Sequence, residues 1–170
     1  LIAKKKNWLI KIITGNRRCG KLYLLFTIYH QYLIDNGIKQ EQIIELALDE
    51  TSNARYRNPI ELDKYIRSLV SDISKKYYVF LDEIQKVEEI QNPYVPNSCA
   101  KITFVDTVLG LMKLPNADIY ITGSNSKMLS SDIVTEFRDR GDEVRMYPLS
   151  FSEFYNAYTG DRSKAWREYY

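Results

Sequence analysis

Apolar runs of strand length alternate with helix-period segments from one end of this chain to the other, the pattern of a parallel sheet wrapped by helices. The first strand is expected over Trp8–Thr14, closed by Gly15, and a mostly apolar helix over Lys21–Asp35, ended by Asn36-Gly37. A second strand, Ile43–Leu48, leads into Asp49-Glu50 and a polar loop. Pro59 opens a helix over Ile60–Ser74, with Ile60, Tyr65, Ile66, Leu69 and Val70 spaced for one buried stripe. The third strand, Tyr77–Leu81, is an unbroken apolar run, so it should be buried on both faces and central. Prolines and asparagines make a loop of Gln91–Ser98 before a helical pattern resumes over Phe104–Lys113 and breaks at Pro115-Asn116. A fourth strand, Asp118–Thr122, ends in Gly123-Ser124-Asn125-Ser126. A helix over Met128–Phe137, a last strand over Glu143–Tyr147 and a terminal helix from Ser150 or Ser152 complete the chain. The expected fold class is α/β, in three layers, with a mainly parallel five-stranded sheet.

Composition narrows this picture only a little. With 170 residues the chain builds one full core, and two would be cramped. No apolar stretch approaches the roughly 20 residues of a membrane span, and a soluble, cytoplasmic protein without membrane partners is the expectation. A net charge of +2 does not indicate nucleic acid, because only a clustered basic face would attract it. The basic run Lys4-Lys5-Lys6 reads as a solvated lead-in to the first strand. Cys19 and Cys99 lack metal-ligand spacing and suit a reducing compartment. His30, the single histidine, follows the apolar run Leu22–Tyr29 on an expected helix, so a packing or surface role is expected for it rather than a place in a histidine-based triad. The 14 tyrosines fit crowded half-buried faces better than a base-stacking platform.

Gly15-Asn16-Arg17-Arg18-Cys19-Gly20-Lys21 satisfies GxxxxGK between a buried strand and a helix, the context a phosphate-binding loop requires. The two glycines let the backbone curl so that successive N–H groups point at phosphate oxygens, and the helix adds its positive N-terminal end. Lys21 would bring a point charge to the outer phosphates. The next position normally carries a Ser or Thr whose hydroxyl ligates Mg²⁺. Here it is Leu22, which cannot coordinate a cation, so looser metal binding and slower turnover are expected. Asp82-Glu83 closes the third strand; in enzymes with such a loop the first carboxylate holds Mg²⁺ and the second polarises the attacking water. Taken alone, an acidic pair at a strand end is a solvated turn, and Thr122-Gly123-Ser124-Asn125 is a plain turn or helix cap. Their order behind a phosphate loop favours function. Arg138 and Arg140 are cations able to stabilise phosphate charge, although most surface arginines only face solvent.

With IITGNRRCGK (Ile12–Lys21), YVFLDEIQ (Tyr78–Gln85), IYITGSNSKML (Ile119–Leu129) and YPLSFSEF (Tyr147–Phe154) in order, the chain resembles a prokaryotic AAA+ P-loop ATPase family. There the ATPase domain is followed by a nuclease-like C-terminal domain. The resemblance implies a three-layer P-loop NTPase fold, ATP and Mg²⁺ as cofactors, Lys21 on the phosphates, Asp82 at the metal, Glu83 as water activator and Ser124 or Asn125 as sensor of the terminal phosphate. It also matches Arg140 to the arginine of a Gly-Arg pair, and self-association through Arg138 and Arg140 follows as an expectation. Two departures stand out: Leu22 for Ser/Thr, and Asp139 where the glycine before that arginine is usual. Residues 1–170 are expected to be an AAA+ type nucleotide-binding domain, a fragment or decayed copy lacking the C-terminal domain. The leading expectation is an ATP-binding module whose Mg-dependent hydrolysis switches an attached domain. The alternatives are a catalytically degenerate nucleotide-binding or interaction protein, for which Leu22 and Asp139 speak, and a DNA-handling ATPase.

Overall fold

A computed structural model describes residues 1–4, 9–95, 99–123, 137 and 139–169. The β-branched and aromatic runs become strands β1 (Ile10–Gly15), β2 (Ile43–Ala47) and β3 (Tyr77–Asp82), a short antiparallel pair β4 (Ile90–Gln91) and β5 (Lys101–Ile102), then β6 (Ala117–Thr122) and β7 (Gly141–Met146). Five of them form one parallel sheet in the order β2-β3-β6-β1-β7. Every residue of β3 is buried, as its unbroken apolar run predicts. Among the described residues, the crossovers from β1 to β2, β2 to β3 and β3 to β6 run through helical segments, which gives the parallel pairing its connections.

The strand period of two sorts side chains between two cores. On one face Ile13, Tyr78, Phe80 and Tyr120 pack under helix α1, residues 21–35, which contributes Leu25, Tyr29 and Leu33. On the other face Val79, Leu81, Ile119 and Ile121 meet Leu62 and Ile66 of α2 (Pro59–Leu69) and Val105, Val108 and Leu111 of α3 (Phe104–Leu111). The three expected layers are therefore present. Part of the tyrosine excess is core material: Tyr29, Phe80 and Tyr120 form a mutually contacting aromatic cluster with centroids 5.1–5.8 Å apart.

Helix ends follow local chemistry. α1 starts after Gly20, whose φ of 88° only glycine adopts at ease, and ends with Gly37 at φ 81°, where the Ile38 N–H closes onto the Leu33 carbonyl at 3.0 Å. Inside it, Leu24–Tyr29 is wound as a π-helix between α-helical Lys21–Tyr23 and His30–Asp35. The Asn58 side chain caps α2 by accepting from Ile60 and Glu61 N–H, with Pro59 in the first position.

The sequence pattern carried α2 on to Ser74, but it stops at Leu69. The Asp72 carboxylate accepts from the Ser74 N–H at 3.0 Å and from its hydroxyl at 2.6 Å, a local turn that competes with the helix. The polar loop after β2 contains a 3₁₀ helix, Thr51–Arg57. The expected single terminal helix is two, α4 (Phe151–Ala157) and α5 (Arg162–Tyr169). Ser150 and Glu153 form a capping box at the start of α4.

Candidate functional site

The phosphate-loop segment leaves the C-terminal end of β1 and runs into α1. A Cβ on Gly15 would lie 2.5 Å from the Met146 carbonyl oxygen and 2.8 Å from Cys19 Sγ, so the close approach of β7 requires glycine there. Arg18 turns with φ 65°, and the Cys19 N–H closes back onto the Asn16 carbonyl at 3.3 Å. Asn16, Arg17 and Arg18 are exposed. Lys21 is buried, and its ammonium donates to the Gly15 carbonyl at 3.1 Å and the Asn16 carbonyl at 2.9 Å, with Cys19 Sγ at 4.0 Å. Neutral carbonyls leave its charge uncompensated by any ion pair. Leu22 is 45% exposed, so no packing demand accounts for a leucine at that position.

β3 and β6 pair in the register Leu81↔Ile121, which carries Asp82 and Thr122 side by side onto the face that α1 covers. Thr122 is fully buried; its hydroxyl donates to Asp82 Oδ1 and accepts the Glu83 N–H at 3.2 Å. Glu83 takes the left-handed conformation, φ 51° and ψ 49°, and its carboxylate accepts from Gln85 Nε2. Burial holds the Asp82 carboxyl above the usual carboxylate range; the Thr122 hydrogen bond lowers it, Glu83 and Asp49 raise it, and the Lys21 ammonium lowers it. Lys21 and Asp82 do not pair directly. A lysine beside a buried carboxylate at the C-terminal edge of a parallel sheet fits a ligand with phosphate and a divalent cation between them.

Arg140 is not in this group. Its carbonyl accepts the Ile10 N–H at 2.9 Å, and β7 then runs from Gly141 beside Ile10 to Met146 beside Gly15. The six residues of β7, about 20 Å at 3.3 Å each, separate Arg140 from the phosphate loop of its own chain. Asp139 before it has φ 65°. That conformation explains why glycine suits the position and why aspartate, one of the residues that enters the left-handed region most readily, can replace it. Ser124, Asn125, Arg138 and most of the helix expected over Met128–Phe137 lie outside the described residues. Sequence reasoning gave Thr122, Asp49 and Gln85 no individual roles. The order of motifs marked the strand end, but nothing in a lone threonine announced two partners on another strand.

A P-loop fold that brings Lys21 and Asp82 to the C-terminal edge of one parallel sheet defines a nucleotide-binding α/β domain. The AAA domain family profile matches residues 7–155, and the chain belongs to that family as an AAA-type ATPase domain. It is 34% identical over 157 residues to an uncharacterised Haemophilus influenzae protein, covering 92% of this chain and 36% of that one. With an uncharacterised Methanocaldococcus jannaschii protein it shares 32% over 149 residues, 85% of this chain and 28% of that one. The chain thus spans about a third of the length of these curated relatives. Among solved structures, it is similar to a Thermotoga maritima DNA polymerase III gamma subunit-related protein, with a TM-score of 0.60, 14% identity and coverage of 98% and 50%. It is also similar to a chain of the Escherichia coli HORMA:CdnC:Trip13 complex, with a TM-score of 0.58, 11% identity and coverage of 94% and 57%. Caenorhabditis elegans PCH-2 follows at 0.57, 14% identity and coverage of 92% and 40%. Identities this low speak to fold alone. Among the described residues, no helix is long and apolar enough to cross a membrane.

Proposed function

We propose that this domain binds ATP with Mg²⁺ and hydrolyses it slowly to switch a neighbouring domain or copy. The observation that carries this reading is the delivery of Lys21, after β1, and Asp82, at the end of β3, to the same C-terminal edge of one parallel sheet, with no hydrogen bond or ion pair between them. Gly15 to Lys21 would cradle the phosphates with backbone N–H groups, and the Lys21 ammonium would leave its carbonyl contacts for phosphate oxygen. Asp82 would hold the metal, which supplies charge neutralisation at the phosphates when bound. Glu83, half-buried beside Asp82 and held by Gln85 Nε2, would accept a proton from water. Ser124 or Asn125 would sense the terminal phosphate. Leu22 offers the cation no oxygen, so turnover is expected to be slow.

Arg140 stands too far from its own phosphate loop to act there. It would serve the nucleotide of an adjacent copy, which makes self-association a condition of full activity and assigns Arg140 a role in trans. Titration of a fluorescent ATP analogue with and without Mg²⁺, beside Lys21→Ala, tests the binding. Mixing Glu83→Gln with Arg140→Ala chains tests the trans contact. Each variant alone should be inactive in an assembly, and the mixture should regain part of the activity, because some interfaces then combine an intact Glu83 with an intact Arg140. A mixture no more active than its components contradicts the trans role. The degenerate, non-hydrolysing alternative is favoured by Leu22 alone, and nucleotide binding without any Mg-dependent turnover would establish it.

A further inference from the structure

Thr122 ends the strand that lies between the phosphate-loop strand and the acidic strand. Its neighbour across β1 is Ile13, and across β3 its side chain meets Asp82. It is wholly buried, so water does not compete for its hydroxyl. A hydroxyl has one proton and two lone pairs. Here the proton is committed to Asp82 Oδ1 and a lone pair to the Glu83 N–H at 3.2 Å.

Both ends of that bridge matter. The first fixes the rotation of the Asp82 carboxylate and leaves its second oxygen for a cation. The second pins the backbone at the one residue of this turn with positive φ, Glu83, whose side chain is further held by Gln85 Nε2. Without an acceptor for its N–H, a non-glycine residue has less reason to stay left-handed.

Resting on the ATP-Mg²⁺ reading of this site, we infer that Thr122 is the positioning residue that sets both acids at once, aiming Asp82 at the metal and Glu83 at the water through a single hydroxyl. Leu22 makes this consequential. With no hydroxyl from the helix start, the protein's hold on the cation passes through Asp82, and the orientation of Asp82 passes through Thr122.

The test compares the native chain with Thr122→Val, which keeps the shape and drops the hydroxyl, and Thr122→Ser, which keeps the hydroxyl and drops the methyl. Affinity for a fluorescent ATP analogue in EDTA reads the phosphate loop alone and should be the same in all three. Mn²⁺ binding to the ATP-loaded protein, followed by electron paramagnetic resonance, should weaken about tenfold in Thr122→Val and stay near native in Thr122→Ser, as expected for loss of one charge-assisted hydrogen bond. In Thr122→Val kcat should fall by at least about tenfold with KM for ATP little changed, the mark of lost positioning. If Thr122→Val fails to fold, Thr122→Ala carries the same comparison. Native Mn²⁺ affinity and kcat in the hydroxyl-free variant would overturn the inference, as would a serine variant as impaired as the valine. A native chain that binds no nucleotide in EDTA or with Mg²⁺ would instead remove the ATP reading itself, and the inference with it.

Discussion

One face of the sheet carries two lysine–aspartate constellations with opposite fates. Low on that face, Lys11 of β1 is fully buried and ion-paired with Asp118 of β6. Asp118 also accepts the Tyr120 hydroxyl at 3.0 Å, and Tyr120 meets the Tyr29 hydroxyl of α1 at 2.6 Å. Burial, reinforced by the Asp118 charge, pushes the Tyr120 hydroxyl far above its ordinary value, so it stays neutral and keeps its proton to donate. In this chain of contacts the two charges meet each other. At the upper edge, among the described residues, Lys21 bonds only to carbonyls and Cys19 sulfur, and Asp82 only to Thr122. The same two residue types make a structural pin where they pair. Where they are left unpaired, at the edge to which the strands deliver their ends, they are available to the ligand proposed above.

The largest effect that would test this contrast is on stability. Asp118→Asn leaves the Lys11 ammonium buried without its counter-charge and is expected to cost about 3–5 kcal/mol, measured by urea denaturation. Lys11→Met combined with Asp118→Leu should recover most of that loss, because an apolar pair avoids the desolvation of both ions. A single-variant cost below about 1 kcal/mol, the value of an exposed pair, would break the comparison from its structural side.

Lys21→Ala is the mirror experiment. It should raise the dissociation constant for ATP at least about hundredfold, since a cation placed on phosphate oxygens is a strong charge-assisted contact. Stability should change by less than about 1 kcal/mol, because Lys21 contacts only the carbonyls of its own loop and a nearby thiol. Isothermal titration and urea denaturation on the same preparation separate the two effects. Unchanged ATP affinity would show that Gly15–Lys21 is only a turn.

How much of this contrast was legible in the sequence differs between its two halves. GxxxxGK after an apolar run and Asp-Glu at the end of another are linear signals, so Lys21, Asp82 and Glu83 could be named from spacing and context. Lys11 and Asp118 could not. Each sits inside a strand where a charged residue reads as pointing to solvent, and their partnership exists only because β6 inserts between β1 and β3. Thr122 escaped for the same reason, since its two partners are the last residue of β3 and the one that follows it. The order of strands is a tertiary fact that periodicity does not carry. The pair β4 and β5, with two residues each, is too short for any alternation to register. Asp139 shows the converse: a departure from a family pattern looked like damage, and its φ of 65° shows a conformation aspartate tolerates.

Leu22→Ser sharpens the upper half of the comparison by restoring the oxygen the site lacks. Mg-dependent ATP turnover is expected to rise by roughly tenfold to hundredfold, because positioning is most of what a protein contributes to phosphoryl transfer. The opposing possibility was that Leu22 anchors the helix start, so that serine would cost stability. Its 45% exposure removes that objection, and a stability change within about 0.5 kcal/mol is expected in a first helical turn. Native turnover equal to that of the serine variant, at equal folded fraction, would mean that water replaces the missing hydroxyl without cost.

The smallest effect belongs to a third cation–carboxylate pair in the same layer. His30 Nδ1 lies 2.7 Å from Glu45 Oε1, and Nε2 lies 2.8 Å from Gln40 Oε1. Burial works against the charged ring, but the hydrogen bonds to Glu45 and Gln40 and the Glu45 charge outweigh it, leaving the imidazole above its ordinary value of 6.5. A raised folded-state pKa means that the folded chain binds the proton more tightly than the unfolded chain. The pair therefore stabilises fully below about pH 6.5, and this contribution is lost as pH rises through the folded-state value. Since both side chains keep some contact with solvent, the amount should not exceed about 1 kcal/mol. His30→Gln should flatten the stability profile as pH rises above about 6.5 while leaving ATP affinity untouched, which thermal denaturation as a function of pH would read. An equally steep profile in the variant would assign the pH dependence to other groups. A matching loss of ATP affinity would mean that the outer end of α1 communicates with the phosphate loop at its start, so that the paired and unpaired halves of this layer are not independent.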